Sequence, residues 1–149
     1  MAKNIYHKII QIDSGMIDGN DHVNNVVYVE WMQEIATEHA STWGVDDLMD
    51  EEGTAWFARK HTIEYLRPIF LGDEIDAHTW ISTVERVKSQ RRYQFLRNGE
   101  VVAQGSTDWV YVDRSSGRPK PGSRCSHRPP MRPRCRLDSG RRHRALPTY

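Results

Sequence analysis

The sequence predicts an α+β fold in which a five-stranded antiparallel sheet carries one long helix against one face. Residues 5–12 are rich in β-branched side chains, which is typical of a strand. Apolar residues then recur every three to four positions over residues 26–43, which is the period of a helix. From Thr54 onward the pattern becomes that of strands again. The predicted order is therefore strand, long helix and four strands.

A polar loop separates the first strand from the helix. It covers residues 13–21 and contains Gly15 and Gly19 among small polar side chains. The helix, at a rise of about 1.5 Å per residue, would be about 27 Å long. Gly44 follows its last apolar residue, as expected of a residue just past a helix end. The segment of residues 45–52 is short and acidic and predicts one further helical turn.

Four later segments predict the remaining strands. They cover residues 56–66, 74–85, 87–97 and 100–112. The pair Asn98-Gly99 lies between the last two and is a strong signal for a tight β-hairpin. Consecutive hairpin-linked strands favour an antiparallel sheet.

Length and hydropathy indicate one domain without a membrane span. The chain has 149 residues, enough for a single core. It contains no run of 18 apolar residues, and its N-terminus has no signal-peptide pattern. We therefore expect a cytoplasmic location.

Charge divides the chain into two compositions. Residues 1–113 contain 10 Lys+Arg and 19 Asp+Glu, whereas residues 114–149 contain 11 Lys+Arg and one acid, Asp138. Six of the seven prolines and both cysteines also lie in the second part. We expect one domain over residues 1–121 and a disordered basic tail over residues 122–149.

Two explanations of this tail are open. Its Arg, Pro, Ser, Cys and Gly bias favours a frameshifted reading frame, and the alternative is a genuine basic tail that binds nucleic acid or another anionic surface. Cys125 and Cys135 match no metal-site spacing.

Chemistry-bearing residues cluster just before the predicted helix. Asp18, Asn20 and His22 alternate along the loop, and Asn24 and Asn25 follow as candidate helix caps. A helix N-terminus presents free N–H groups and a partial positive charge, which can polarise a carbonyl group. A carboxylate beside it can act as a base or a nucleophile, so the pattern favours acyl transfer.

The same residues carry a family resemblance. The pattern D-x-N-x-H-V-N-N-x-x-Y-x-x-W, from Asp18 to Trp31, resembles the signature of hotdog-fold thioesterases. It is most similar to the 4-hydroxybenzoyl-CoA thioesterase-like acyl-CoA hydrolases and the plant-type acyl-carrier-protein thioesterases. The resemblance covers about residues 5–121. It implies a hotdog fold, hydrolysis of an acyl-CoA to a carboxylic acid and CoA, no metal or cofactor, and a homodimer or homotetramer.

The resemblance also implies catalytic roles. It places the catalytic carboxylate at Asp18, with Asn20 and His22 as hydrogen-bonding partners. Glu64 is a candidate second carboxylate, facing the site from a neighbouring subunit. Each has a structural alternative: an Asx turn between Asp18 and Asn20, a loop-ordering role for His22, and an outward-facing strand position for Glu64.

Candidate substrate-binding residues fall into two groups. The first would supply backbone N–H groups to the oxyanion, and the second would supply positive charge to the phosphates of CoA. The first group is Asn24, Asn25, Val26 and Val27, and the second is Arg59, Arg67 and Arg91. For the first group capping is the structural role, and it is compatible with the oxyanion role. For the second group the alternative is a solvated strand face.

Three other functions remain open at this stage. An acyl-carrier-protein thioesterase would differ only in the carrier of the acyl group. A non-catalytic acyl-CoA-binding module would bind without turnover. A nucleic-acid-associated protein would depend on residues 122–149, although nucleic acid is not the expected partner.

Overall fold

Five antiparallel strands form one sheet in the computed structural model, which describes residues 4–121. The strands are β1 (Tyr6–Gln11), β2 (Thr54–Tyr65), β3 (Glu74–Val84), β4 (Lys88–Arg97) and β5 (Glu100–Asp113). Their order across the sheet is β1-β3-β4-β5-β2, and every neighbouring pair is antiparallel. β3, β4 and β5 therefore form a meander, and β1 and β2 lie at the two edges.

Two helices follow one another between β1 and β2. The longer, α1, spans Asn25–Ser41, and the shorter, α2, spans Val45–Glu52. Gly44 lies between them with a φ of 70°, a left-handed conformation that glycine adopts without strain. The expectation of a single helical turn after Trp43 is wrong, because α2 has eight residues.

The apolar face of α1 packs on one face of the sheet. Met32 and Ile35 of the helix are at most 1% exposed, and so are Tyr93 and Phe95 on β4. Each such side chain contributes about 1.5–3 kcal/mol when it is fully buried. The core thus lies between α1 and the three central strands.

Gly105 lies on β5, where the backbone of β2 packs directly against it. It pairs with Ile63 on one side and Tyr93 on the other. A Cβ atom at this position would meet the backbone carbonyl oxygen of Thr62, and it would lie 3.4 Å from Cε of Met32. The backbone of β2 therefore leaves no room for a side chain at this position.

The predicted α+β hotdog architecture is confirmed, with one long helix and five strands in the predicted order. No helix within residues 4–121 is long and apolar enough to cross a membrane. The predictions for residues 122–149, including those for Cys125 and Cys135, lie outside the described residues.

Candidate active site

Backbone hydrogen bonds fix the shape of the loop before α1. The N–H of Asp18 donates to the carbonyl of His22 at 2.8 Å, and the N–H of Asn24 donates to the carbonyl of Met16 at 2.8 Å. The N–H of Val23 donates to the carbonyl of Ile69 at 2.9 Å. The first two bonds close the loop on itself, and the third ties it to the segment between β2 and β3.

The Asp18 carboxylate is anchored through one oxygen. Oδ1 accepts the N–H of Asn20 at 2.8 Å and the N–H of His22 at 3.3 Å. Within residues 4–121, Oδ2 accepts no hydrogen bond, and the residue is half-buried. The Asx turn given above as the structural alternative is therefore present. It orients the carboxylate and leaves one oxygen for chemistry.

The side chains of Asn20 and His22 do not form the predicted bonds to the carboxylate. Their backbone N–H groups do so instead, and both residues are exposed. The imidazole of His22 packs edge-on against the ring of Phe70, with 5.3 Å between centroids. Phe70 carried no signal in the sequence, because an isolated loop aromatic has no periodicity.

Asn24 caps α1 and accepts hydrogen bonds from two of the backbone amides that were proposed to bind the oxyanion. Its Oδ1 accepts the N–H of Val26 at 3.0 Å, and its carbonyl accepts the N–H of Val27 at 2.9 Å. Within residues 4–121, the N–H of Asn25 has no such acceptor. The expectation of free Val26 and Val27 amides is thus corrected, and the Asn25 amide remains.

Tyr65 also lies beside the helix start, although no sequence pattern marks it as a site residue. Its hydroxyl donates to the carbonyl of Asn25 at 3.2 Å. Its ring stands edge-on to that of Tyr28, 4.9 Å between centroids. Tyr65 therefore holds the end of β2 against the first turn of α1.

Glu64 lies on the face of the sheet opposite α1. Ile63 packs against the core and Tyr65 contacts Tyr28, so the residue between them points to the other side. Its carboxylate accepts a hydrogen bond from Nε2 of Gln104 at 3.3 Å. One chain does not bring Glu64 and Asp18 together, and a role across a subunit boundary stays a prediction.

The three candidate arginines have different surroundings. Arg59 is exposed at a β-bulge between Ala58 and Lys60 on β2. Nε of Arg67 forms an exposed ion pair with Glu100 at 2.6 Å. Both are on the surface, as the prediction requires.

Arg91 is instead buried, with 5% exposure, beneath α1. Its Nη1 lies 2.8 Å from Nδ1 of His39. It is thus not on the surface where a CoA phosphate would bind. The signal was available in the sequence, because Arg91 alternates with Tyr93 and Phe95 on the inward face of β4.

One group within residues 4–121 could hold a metal ion. It comprises His7, Asp76 and His78, whose ligand atoms lie within 4.8 Å of one another on β1 and β3. His78 Nε2 lies 2.9 Å from the Asp76 carboxylate. None of the three residues belongs to the loop of Asp18 or to the start of α1.

The sheet of five antiparallel strands packed on one long helix is a hotdog fold. The family model of the thioesterase-like superfamily matches residues 13–133, and the chain belongs to that superfamily. The predictions of a thioesterase family and of thioester hydrolysis are confirmed by this match. A search of curated proteins finds no match.

Solved structures share the fold at low sequence identity. DHNA-CoA thioesterase from Staphylococcus aureus is 19% identical, with a TM-score of 0.72 over 78% of this chain and 80% of that one. A second Staphylococcus aureus protein, solved in complex with CoA, is 14% identical, with a TM-score of 0.78 over 85% and 81%. An acyl-ACP thioesterase from Bacteroides thetaiotaomicron is 19% identical, with a TM-score of 0.75 over 83% and 52%.

Proposed function

We propose that this chain hydrolyses acyl-CoA thioesters to a carboxylic acid and CoA, with Asp18 as general base or nucleophile. The observation that carries the proposal is the Asp18 carboxylate. Its Oδ1 is fixed by two loop amides, and its Oδ2 is left available in the loop that leads into α1. A carboxylate held in one orientation loses little freedom when it reacts.

The reaction follows from this geometry. As a base, Asp18 takes a proton from water, and the resulting hydroxide attacks the thioester carbonyl carbon. As a nucleophile, it forms an acyl anhydride that water then opens. In both cases the C–S bond breaks, the CoA thiolate leaves and takes up a proton. The N–H of Asn25, aided by the helix dipole, is the candidate donor to the oxyanion.

No cofactor is required by this mechanism. The carboxylate supplies the base, water is the second substrate, and the helix N-terminus supplies the positive potential. We therefore expect full activity in the presence of a chelator such as EDTA. A loss of activity that added Zn²⁺ restores would contradict this part of the proposal.

The exposed side chain of Arg59 supports binding of the CoA phosphates. Within residues 4–121 it has no ion-pair partner and is exposed, so it is available to a phosphate. Arg59→Glu should raise KM for acyl-CoA several-fold and leave KM for an acyl-N-acetylcysteamine thioester unchanged. Equal effects on both substrates would remove the argument for CoA.

The free edge of the sheet supports a homo-oligomer. β2 is a 12-residue edge strand, and Phe57 on it is 50% exposed. A long unpaired edge of this kind is a template for pairing with a second copy. Light scattering should give a dimer or tetramer, and a monomer at micromolar concentration would contradict it. The cytoplasmic location stays a prediction.

The decisive experiment compares two acidic residues of the same loop. Thiol release is measured on a panel of short, long and aromatic acyl-CoA substrates for the parent, Asp18→Asn and Asp21→Asn. Asp21 has a φ of 63°, which asparagine tolerates as well as aspartate does. We expect kcat to fall by a factor of about 10² or more for Asp18→Asn, and to be unchanged for Asp21→Asn.

Two outcomes would overturn the proposal. Equal activity of all three proteins would show that Asp18 is not catalytic. Tight binding of acyl-CoA by a folded parent without any thiol release would favour the non-catalytic binding module instead.

A further inference from the structure

A cavity of about 160 Å³ lies between the C-terminal end of α1, α2 and the sheet. The indole rings of Trp43, Trp56 and Trp109 contribute to its wall, together with apolar residues of both helices. A cavity of about 150 Å³ is large enough to hold a benzene ring. This space is therefore suited to one small aromatic body.

Arg91 brings a positive charge to the wall of this cavity. Only its Nη1 has acceptors within residues 4–121, namely His39 Nδ1 at 2.8 Å and Thr79 Oγ1 at 3.2 Å. The hydroxyl of Thr79 donates to the Arg92 carbonyl, so its oxygen is free to accept from Arg91. The other two guanidinium nitrogens, Nε and Nη2, have no acceptor in the described part of the chain.

The charge of Arg91 has no counterion among residues 4–121. No ion pair there includes it, although Arg67, Arg97 and Arg114 each pair with a carboxylate. In the part of the chain that the structure describes, the buried polar residues include no Asp or Glu. His39 cannot compensate, because a neutral imidazole supplies only a lone pair. A buried arginine is rare unless it is paired, since removing its charge from water costs several kcal/mol.

The one acid at the cavity is Asp46, at the start of α2. It is exposed, and its Oδ2 accepts the hydroxyl of Ser41 at 2.5 Å. It therefore lies on the solvent side and leaves the guanidinium without a partner.

We propose that this cavity binds an aromatic carboxylate, with the ring among the indoles and the carboxylate on the guanidinium of Arg91. A carboxylate matches the two unused guanidinium nitrogens, because it can accept two parallel N–H bonds. The ligand thus supplies the missing negative charge and fills the apolar space in one step. The inference does not depend on the proposed thioesterase activity.

The cavity is separate from the Asp18 loop of the same chain. Ala36, the lining residue nearest to the start of α1, is 11 positions after Asn25. At about 1.5 Å per residue this is about 17 Å along the helix. A benzoate-sized molecule cannot span that distance. The carboxylate belongs either to a free aromatic acid or to the far end of a longer acyl group.

The test is calorimetric titration of the full chain with benzoate, benzamide and acetate. Benzoate should bind with a Kd below about 1 mM, and benzamide, which lacks the charge, should bind at least tenfold more weakly. Acetate, which lacks the ring, should also be at least tenfold weaker. No benzoate binding, or equal binding of benzoate and benzamide, would overturn the proposal.

Matched variants identify the residue. Arg91→Met removes the charge at similar length and should weaken benzoate about 30-fold, whereas Arg92→Met, at the exposed neighbour on β4, should leave it unchanged. Apolar replacement of a buried charge is often tolerated, and thermal unfolding checks that it is. If Arg91→Met does not fold, Ala40→Leu fills the cavity from α1 and should abolish binding with Arg91 intact. Unchanged benzoate affinity in whichever of Arg91→Met and Ala40→Leu is folded would overturn the proposal.

The two sources of the carboxylate are told apart by turnover. If it is the far end of an acyl group, 10-(4-carboxyphenyl)decanoyl-CoA, whose chain is long enough to span the distance, should show a lower KM than 10-phenyldecanoyl-CoA, and Arg91→Met should remove that difference. If it is a free acid, the two KM values should agree, and benzoate should bind equally well with saturating CoA present. Benzoate titration of Asp18→Asn tests the cavity independently of turnover. Benzoate should bind this variant as tightly as the parent even if the proposed catalysis is wrong.

Discussion

Asp18 and His22 are joined by two backbone-dependent hydrogen bonds that run in opposite directions. The Asp18 N–H donates to the His22 carbonyl at 2.8 Å, and the His22 N–H donates to the Asp18 carboxylate at 3.3 Å. The histidine thus orients the carboxylate through its main chain. Its imidazole packs on Phe70 instead.

This relationship predicts a small effect of changing the His22 side chain. His22→Gln keeps the backbone N–H and should lower kcat less than about tenfold, whereas the proposed general base, Asp18, should lose a factor of 10² or more. Steady-state thiol release from one acyl-CoA measures both. A loss as large as that of Asp18→Asn would show that the imidazole itself takes part in the reaction.

The Asn24 cap of α1 should contribute measurably to the free energy of unfolding. Asn24→Ala removes the acceptor of the Val26 N–H and should cost about 1 kcal/mol of the free energy of unfolding. Asn25→Ala is the control, because the Asn25 side chain forms no hydrogen bond within residues 4–121. Urea titration compares the two. Equal losses would mean that the side-chain cap carries little of the helix stability.

Gly105 should not tolerate even a methyl group. Gly105→Ala places a Cβ against the Thr62 carbonyl oxygen, and β2 or β5 must shift to relieve the contact. We expect a loss of about 1–3 kcal/mol, typical of overpacking. Ser106→Ala, one position along the same strand, should be nearly neutral. A parent-like melting temperature for Gly105→Ala would show that the strands separate easily here.

His39 should make the protein less stable in acid. Burial, and then the charge of Arg91, lower the pKa of His39 from 6.5 to about 4. Below pH 6.5 the unfolded chain binds a proton at this residue, while the folded chain stays neutral until about pH 4. Protonation thus favours unfolding, and about 3 kcal/mol should be lost as the pH falls from 7 to 4.

The variant His39→Gln keeps an acceptor for Arg91 and removes the titration. The groups around the imidazole are Tyr6 on β1, Trp43 after α1 and Arg91 on β4, and none of them titrates in this range. Urea unfolding at several pH values should therefore give a flatter profile for the variant. Parallel profiles for parent and His39→Gln would contradict the assignment.

The sequence predicted those features that depend on periodicity. The strands and the long helix were predictable because apolar side chains recur at two residues on β4 and at three to four on α1. The loop carboxylate was predictable because it precedes a capped helix. The full length of α2 was missed although Val45, Leu48 and Met49 recur at helical spacing, because eight residues offer only about two turns of that pattern.

The site features that the sequence missed depend on where atoms point. The capping geometry of Asn24 decides which amides remain free, and no pattern of residue types encodes it. Arg91 was assigned to the surface because of its charge, although its alternation with Tyr93 and Phe95 already placed it inward. For a charged residue in a strand, the face on which it lies therefore predicts burial better than its polarity does.

The strand order has a consequence for how the molecule folds. β3, β4 and β5 are joined by local hairpins. β1 instead pairs with β3, more than 60 residues away in the chain, for example Tyr6 with Thr79, and β2 pairs with β5. Long-range pairings lose conformational entropy on loop closure before any contacts form, so we expect them to form late. During synthesis, the sheet that supports the Asp18 loop can therefore be completed only after β5, which ends at Asp113, has left the ribosome.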